Sequence, residues 1–326
     1  GPKVVAIGGG TGLPSVLRGL KAHTSHITAI VTVADDGGSS GKLRRELGVL
    51  PPGDLRNNIM ALANDEDLMA QLFQYRFANG GLEGHNFGNL FLTALASITG
   101  SMDKALAETG RVLAIEGCVL PATLHNVTLV AEVWVQGEEQ ARRITGESHI
   151  PEAGGKIKRV FLQPDRVPAS PDAIRAILDA DLIVIGPGSL FTSILPTLLI
   201  GGIIEAIQAS SAVKVYVCNV ATQPGETDGF TVADHVSVLE QHIGRGVFQT
   251  VVANNSYPSR NKGENTRYVL PSTDHDPVHQ RYRFHWTELA DLERPWRHDA
   301  TRLGQSLLSV YHQAVQTALP PDTVSR

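Results

Sequence analysis

The sequence predicts an α/β protein: a Rossmann-like three-layer fold with a mostly parallel sheet and a small antiparallel insertion near residues 118–164. Three observations predict it. Short β-branched apolar runs alternate with segments of helical period, the pattern of a buried parallel sheet covered by helices. Several of those runs end in glycine-rich polar turns. One stretch in the middle changes to polar–apolar alternation, which marks strands with one solvated face. No low-complexity linker or repeat divides the chain, so residues 3–320 read as a single domain.

The elements follow in order. VVAIGG (4–9) is a buried strand, LPSVLRGLKA (13–22) a helix that tolerates Pro14 in its first turn, and ITAIVTVA (27–34) a second strand. The segments 54–63 and 65–77 read as helices with Asp54 and Asp65 as caps. HNFGNLFLTALASITG (85–100) is a helix closed by Gly100, and 101–113 continues with Ser101 as N-cap. CVLPAT, 127–139 and 156–164 are expected as antiparallel or edge strands. The alternation then resumes: helix 171–180, strand 181–189, helix 198–210, strand 213–221, helix 233–244, strand 248–256 and a terminal helix 302–320.

Composition removes several function classes. With 42% hydrophobic and 19% charged residues the chain is not disordered. Lys and Arg number 28 against 33 Asp and Glu, a net charge of −5 that favours neither nucleic acid nor anionic lipid as a partner. No apolar run reaches membrane-spanning length, so no membrane insertion is expected. Cys118 and Cys218 both lie in apolar runs and read as small buried hydrophobes, which fits a reducing cytoplasm. C-x-x-C, H-E-x-x-H and G-x-S-x-G are absent, so zinc-hydrolase and serine-esterase readings lack support.

The candidate site is carried by the turns. Gly9, Gly10, Thr11 and Gly12 join a strand to a helix, where free backbone N–H groups can hold a phosphate. The spacing matches neither the dinucleotide fingerprint nor a Walker A loop. Asp35 and Asp36 follow the second strand, and Asp35 lies 25 residues past Gly10. They read as a ribose-binding carboxylate, as ligands for Mg²⁺, or as part of a capped turn with Ser39. Arg56 and Asn57 open a helix with a guanidinium suited to phosphate and an amide suited to a base or sugar hydroxyl. Asn89 lies in the His85–Asn89 group, where His85 is available as a base at neutral pH. Gly188, Ser189 and Thr192 form a second anion-binding turn after strand LIVI. Asn219, Thr222 and Glu226 end a later strand, at the sheet edge where open α/β folds bind ligands. Each cluster has a plain structural alternative as a turn or cap. Their convergence on one rim is what points to a ligand.

The segments IGGGTGLPSVLRGLK, TVADDGGSSGKLRRELGVLPPGDLRNNIMALA, HNFGNLFLTAL, VIGPGSLFTSILPTLL and NVATQPGETDGFTVADHV resemble the bacterial gluconeogenesis factor family, which is related to the 2-phospho-L-lactate transferase family of coenzyme F420 synthesis. The resemblance implies a Rossmann-like fold, a cytoplasmic protein that binds a UDP-sugar such as UDP-N-acetylglucosamine, and a role in cell shape on gluconeogenic carbon sources. It implies no required cofactor. A cell-wall synthesis protein is the expected partner, and a homodimer or larger homo-oligomer the expected assembly. The transferase relatives move a phospho-group from a guanosine diphosphate-linked donor with Mg²⁺. Their glycine turn corresponds to residues 9–12 and their acidic pair to Asp35 and Asp36. They carry Asp-Leu-Asp where this chain has Gly53-Asp54-Leu55-Arg56-Asn57-Asn58, so a non-catalytic binder is the first reading and a Mg²⁺-dependent transferase the second.

Overall fold

The computed structural model describes residues 1–63, 68–258, 267–273 and 275–318. Seven parallel strands form the central sheet: β1 (Val4–Gly8), β2 (Ile27–Val31), β3 (Cys118–Pro121), β7 (Leu182–Ile185), β8 (Val213–Val217), β9 (Thr250–Asn254) and β10 (Arg283–Thr287). Their order is β10-β9-β8-β7-β1-β2-β3. The chain steps outward from β1 through β2 to β3, then returns to the other side of β1 and steps outward again from β7. The reversal lies between β1 and β7, and in open α/β sheets the loops at such a point part to leave a crevice. Both strands are buried along their whole length, as their unbroken apolar sequences require.

Helices α1 (Leu13–Lys21), α2 (Gly38–Leu47), α3 (Gly53–Leu62), α4 (Leu68–Gln74), α5 (Phe87–Thr99) and α6 (Met102–Val112) follow β1 and β2. Helices α7 (Pro171–Leu178), α8 (Leu195–Leu198), α9 (Ile203–Ala209), α10 (Val232–Ile243), α11 (Val278–Arg281) and α12 (Ala300–Ala318) accompany the other half. The antiparallel insertion is a separate three-stranded sheet, ordered β5-β4-β6, from β4 (Thr128–Trp134), β5 (Arg142–Thr145) and β6 (Lys156–Gln163). Polar contacts from both of its ends fix it to the main body. The Arg44 guanidinium donates to the Val127 carbonyl, and the Val160 N–H donates to His242 Nε2 at 3.1 Å.

Several expectations need correction. Residues 118–121 belong to the parallel sheet as an edge strand beside β2, not to the antiparallel insertion. Cys118, at the start of that strand, is exposed, whereas Cys218 is buried as expected. The insertion contains an additional strand, Arg142–Thr145, whose charged sequence hid it. The helix expected over 198–210 is broken, because Gly202 adopts φ +94° between α8 and α9. Asp54 sits in the first turn of α3 and not at its cap, which is Pro52. Ser101 is the N-cap of α6 but its side chain makes no capping bond. The expected cap Asp65 and the last residues of the terminal helix lie outside the described residues.

Helix α12 crosses α1 at two glycines. A Cβ on Gly19 would lie 2.1 Å from the Ala300 carbonyl oxygen, and one on Gly304 would lie 2.4 Å from that of Gly19. Backbone meets backbone there, so neither side can give way locally. Gly304→Ala is expected to lower unfolding free energy by about 1–3 kcal/mol, read as a lower urea midpoint with an unchanged slope.

Candidate functional site

The site starts where β1 and β7 end side by side. A Cβ on Gly12 would lie 2.5 Å from the Pro187 carbonyl oxygen and 2.8 Å from the Gly188 nitrogen, so the two glycine-rich turns touch through backbone alone. Gly10 takes φ +62°, a left-handed conformation that glycine adopts without steric cost. Its N–H donates to Asp54 Oδ2 at 2.8 Å. Gly12 caps α1 with no side-chain bond; Pro14 has no N–H and the Ser15 N–H donates to the Gly12 carbonyl at 3.0 Å, which leaves the Gly12 and Leu13 amides at this helix start for an anion.

Two hollows open on either side of Thr11, and both are lined by Thr11 and Arg297. The larger, about 270 Å³, is also lined by Gly10, Arg18, Arg56, Asn57 and Arg76. The smaller, about 80 Å³, is lined by Gly12, Ser15, Pro187, Gly188, Ser189, Asn219, Gln223, Trp296 and His298. The turns at 9–12 and 186–189 therefore share one cleft, as the sequence predicts.

Each predicted residue has a definite place. Arg56 donates through one terminal nitrogen to Asn89 Oδ1 (2.9 Å) and through the other to Asn57 Oδ1 (2.6 Å). Asn89 is 2% exposed and stands behind the arginine. It is itself set by the N-cap Asn86, whose Oδ1 accepts from the Asn89 N–H. Burial and the nearby Arg76 push the Arg56 guanidinium down to about 10. Asn219 braces the second turn, accepting from the Gly188 N–H at 3.0 Å and donating to the Gly188 carbonyl at 2.8 Å. Ser189 Oγ accepts from Gln223 Nε2. Ser39 is buried against His85 Nδ1 at 3.1 Å, which pairs those two candidates with each other.

Other candidates point elsewhere. The Thr192 hydroxyl donates to Glu226 Oε1 at 3.0 Å, and neither residue lines a hollow. Burial raises the Glu226 carboxyl to about 7. Thr222 donates its hydroxyl to the Arg267 carbonyl at 3.1 Å. Asp234 and Thr231 form a capping box on α10, so Asp234 caps.

Asp35 and Asp36 turn apart. Asp35 Oδ1 accepts from the Gly37 N–H at 2.9 Å, while Asp36 Oδ1 accepts from the Ser148 N–H of the insertion at 2.9 Å. Among the described residues no group of three or more His, Cys, Asp or Glu is placed to hold a metal ion. Asp35 instead joins an acidic flank with Asp54 and Glu147. Burial first, and then like-charged neighbours, raise all three: Asp54 to about 6 and Glu147 to about 8. Asp54 meets the glycine turn through the Gly10 N–H, no Asp or Glu lines either hollow, and four guanidinium groups line the larger one.

Sequence reasoning missed Arg18, Arg76, Trp296, Arg297 and Glu147. Arg18 lies within the helix expected over 13–22 and Arg76 within that expected over 65–77, and no motif marks either. Trp296 and Arg297 come from a turn more than a hundred residues beyond Ser189. Glu147 arrives on the insertion. Gln223 and Asn86, which also line the hollows, lay within groups already singled out.

Residues 4–303 match the profile of the family described as 2-phospho-L-lactate transferase CofD. A gluconeogenesis factor of Halalkalibacterium halodurans is 53% identical over 250 residues, covering 76% of each chain. That of Bacillus subtilis is 53% identical over 254 residues, covering 78% of each. A relative from Nostoc sp. is 57% identical over 261 residues, and the match spans 79% of this chain but only 56% of that longer protein. The crystal structure of a UPF0052-family protein from Bacillus halodurans superposes with a TM-score of 0.88 at 45% identity, covering 94% of this chain and all of that one. The chain belongs to the bacterial gluconeogenesis factor (UPF0052) family, related to the CofD family.

The Glu147 carboxyl titrates higher in the folded protein, about 8, than its ordinary value of 4.5. The folded state therefore binds more protons between those values, and the stability it draws from this proton is full below the lower value and is lost as pH rises through the upper. Glu147→Gln is expected to unfold like the parent at pH 4.5 and to be about 1–3 kcal/mol more stable at pH 8, measured by urea titration.

Proposed function

We propose that this chain binds a nucleoside diphosphate sugar, of the kind of UDP-N-acetylglucosamine, with the diphosphate at Thr11 and Gly12. The single observation that carries the reading is the cleft shared by two backbone-lined glycine turns, with Arg297 on both of its hollows. A diphosphate needs N–H donors and positive charge, and both are at hand: the Gly12 and Leu13 amides at the start of α1, and Arg56 presented as a fork by Asn57 and Asn89. Trp296, 43% exposed beside the smaller hollow, offers a ring face for a base or sugar. In this reading the protein acts in the cytoplasm, without a required cofactor, as a gluconeogenesis factor needed for cell shape on gluconeogenic carbon sources. It reports the supply of the nucleotide sugar to a cell-wall synthesis protein and works as a homodimer or larger homo-oligomer.

A second reading is a transferase that moves a phospho-group from a nucleoside diphosphate-linked donor. Two observations favour it: the profile matched, and the gathering of Asp35, Asp54 and Glu147 at protonation values that a cation would relieve. The adjacent pair Asp35 and Asp36 does not itself fit Mg²⁺, since Asp36 is turned to the insertion and held by the Ser148 N–H. No step through a metal follows from this geometry.

Calorimetry with UDP-N-acetylglucosamine and GDP, each with and without Mg²⁺, separates the readings. Binding of the UDP-sugar without turnover is expected. Consumption of a guanosine diphosphate-linked donor only when Mg²⁺ is present would replace the first reading with the second. Arg297→Ala and Arg56→Ala are each expected to weaken UDP-N-acetylglucosamine binding by about 10–100-fold, the worth of a charge-assisted hydrogen bond. Unchanged affinity would remove that arginine from the site.

A further inference from the structure

Two neighbouring helices carry no charge at all. Neither α4 (LMAQLFQ) nor α5 (FGNLFLTALASIT) contains Asp, Glu, Lys, Arg or His. A helix that packs one face on a core ordinarily turns a charged face to water. Here the outward face is apolar as well. Leu68 and Leu72 lie four residues apart on one face of α4, and Tyr75 continues it just past the helix end. Leu68 is 75% exposed, Leu72 37% and Tyr75 52%. On α5, Phe91, Ala94, Leu95 and Ile98 share a face at helical spacing. Ile98 is 81% exposed, Ala94 is exposed, and Phe91 and Leu95 are partly buried.

The two helices adjoin. The buried Phe73 of α4 packs against Phe87 and Phe91 of α5, with ring centroids 6.0 and 4.8 Å apart. At roughly 200 Å² for a whole large side chain, Leu68, Leu72, Tyr75 and Ile98 alone leave about 500 Å² open to water. A twofold pairing of the patch doubles that to about 1,000 Å² before any polar rim is counted, the extent a specific interface needs.

The chemistry of the patch selects its occupant. A helix that lies on a membrane sets Lys and Arg beside its apolar face, and these two helices have none. The surface used for a transient partner is about as polar as the rest of a protein, whereas that of a permanent homodimer is more apolar and poor in charge. A twofold contact sets one patch against its own copy, and a patch without charge meets no like-charge repulsion there.

We infer that a second copy of this chain docks on the outer face of α4 and α5, as a twofold dimer. The inference rests on the homo-oligomer of the proposed function and names its surface; it does not depend on what the cleft holds. The same helix pair serves the cleft from its other side. Asn89 of α5 accepts from Arg56, and Gln74 of α4 lines the larger hollow. Docking therefore braces from outside the helices that position Arg56.

Sedimentation of the full chain is the test, and a mass of twice 35.0 kDa is expected at about 20 μM. Ile98→Lys and Leu68→Glu, at the two most exposed positions, are each expected to weaken self-association at least tenfold. Leu178→Lys, an exposed leucine at the end of α7, is expected to leave the dimer intact. A measurement without variants stands beside these: amide hydrogen exchange in α4 and α5 slows as the parent chain is concentrated through its dimer dissociation constant. A parent chain that stays monomeric at about 100 μM overturns the inference. A dimer that survives both substitutions, or that Leu178→Lys disrupts equally, overturns it too, as does exchange in α4 and α5 that ignores concentration. Co-flotation of the parent with vesicles of phosphatidylcholine and phosphatidylglycerol assigns the face to a membrane and overturns it. Calorimetry of the parent with UDP-N-acetylglucosamine is read separately, so a failed dimer surface leaves the nucleotide-sugar reading standing.

Discussion

The contact on which the site depends is the one between Gly12 and the Pro187–Gly188 peptide. Parallel strands β1 and β7 are hydrogen-bonded neighbours, yet the chain leaves them in opposite directions across the sheet. Their loops would ordinarily diverge. Here they meet with no side chain between them, because a Cβ at position 12 would fall 2.5 Å from a carbonyl oxygen. The meeting is braced from three sides. The Thr197 hydroxyl donates to the Gly8 carbonyl at 3.3 Å, Asp54 takes the Gly10 N–H, and the Asn219 amide pairs with both polar groups of Gly188. The Gly10 and Gly188 N–H groups are taken up by this bracing, which fixes the shape of the turns before a ligand arrives, and the side chains around them decide what is held.

Those side chains fall into two sets of opposite sign. On one flank the carboxyl groups of Asp35, Asp54 and Glu147 crowd one another and keep protons at higher pH than isolated carboxyls do. Four guanidinium groups share the larger hollow, and Asp54 and Asp35 lie near enough to favour the charged form of Arg56. Asp54 lies at the border, drawn up by burial and Asp35, and drawn down by the Gly10 N–H and Arg56. An anionic ligand gains from lying toward the arginines that line the larger hollow and loses by lying toward the acids, which line neither hollow. The insertion contributes to this through Glu147, which Asp36 holds in place by accepting the neighbouring Ser148 N–H. Asp36, an expected ligand contact, thus works as the hinge pin between the α2 turn and the small sheet.

Much of the fold was legible because the sequence repeats a single physical pattern. A strand buried on both faces must be apolar throughout, and a turn that brings backbone to backbone must be glycine; VVAIGGGTG and LIVIGPGS state both at once. What stayed hidden obeyed longer-range causes. RRIT becomes β5 only because β4 supplies a partner edge and Arg143 has Glu132 opposite it. CVLP joins the parallel sheet because β2 offers an open edge, a fact that nothing local in 118–121 encodes. The candidate site divides in the same way. Its backbone parts were readable as glycine turns, and Arg56 with Asn57 and Asn89 as polar helix starts. Arg18, Arg76 and Arg297 were not readable, since each is an ordinary surface arginine until the tertiary fold sets them around one hollow.

The same division bears on whether such a cleft binds or transforms its ligand. Transfer chemistry requires groups aimed at the atoms where charge develops, held so that they stabilise the transition state more than the bound ligand. In the proposed reading the residues held most firmly face ground-state features: backbone turns beside the diphosphate, and a guanidinium pinned flat by two amide side chains. The carboxyl flank is the part that has the composition for chemistry, but its members are directed differently. Asp36 serves the insertion, Asp54 serves the Gly10 amide, and Asp35 serves its own turn at Gly37. Each carboxylate oxygen committed to a backbone N–H is less available to a moving phosphate or to the ion that would accompany one. Acids spent on holding loops, beside arginines that line an open hollow, are what favour the proposed binding reading over the transferase one.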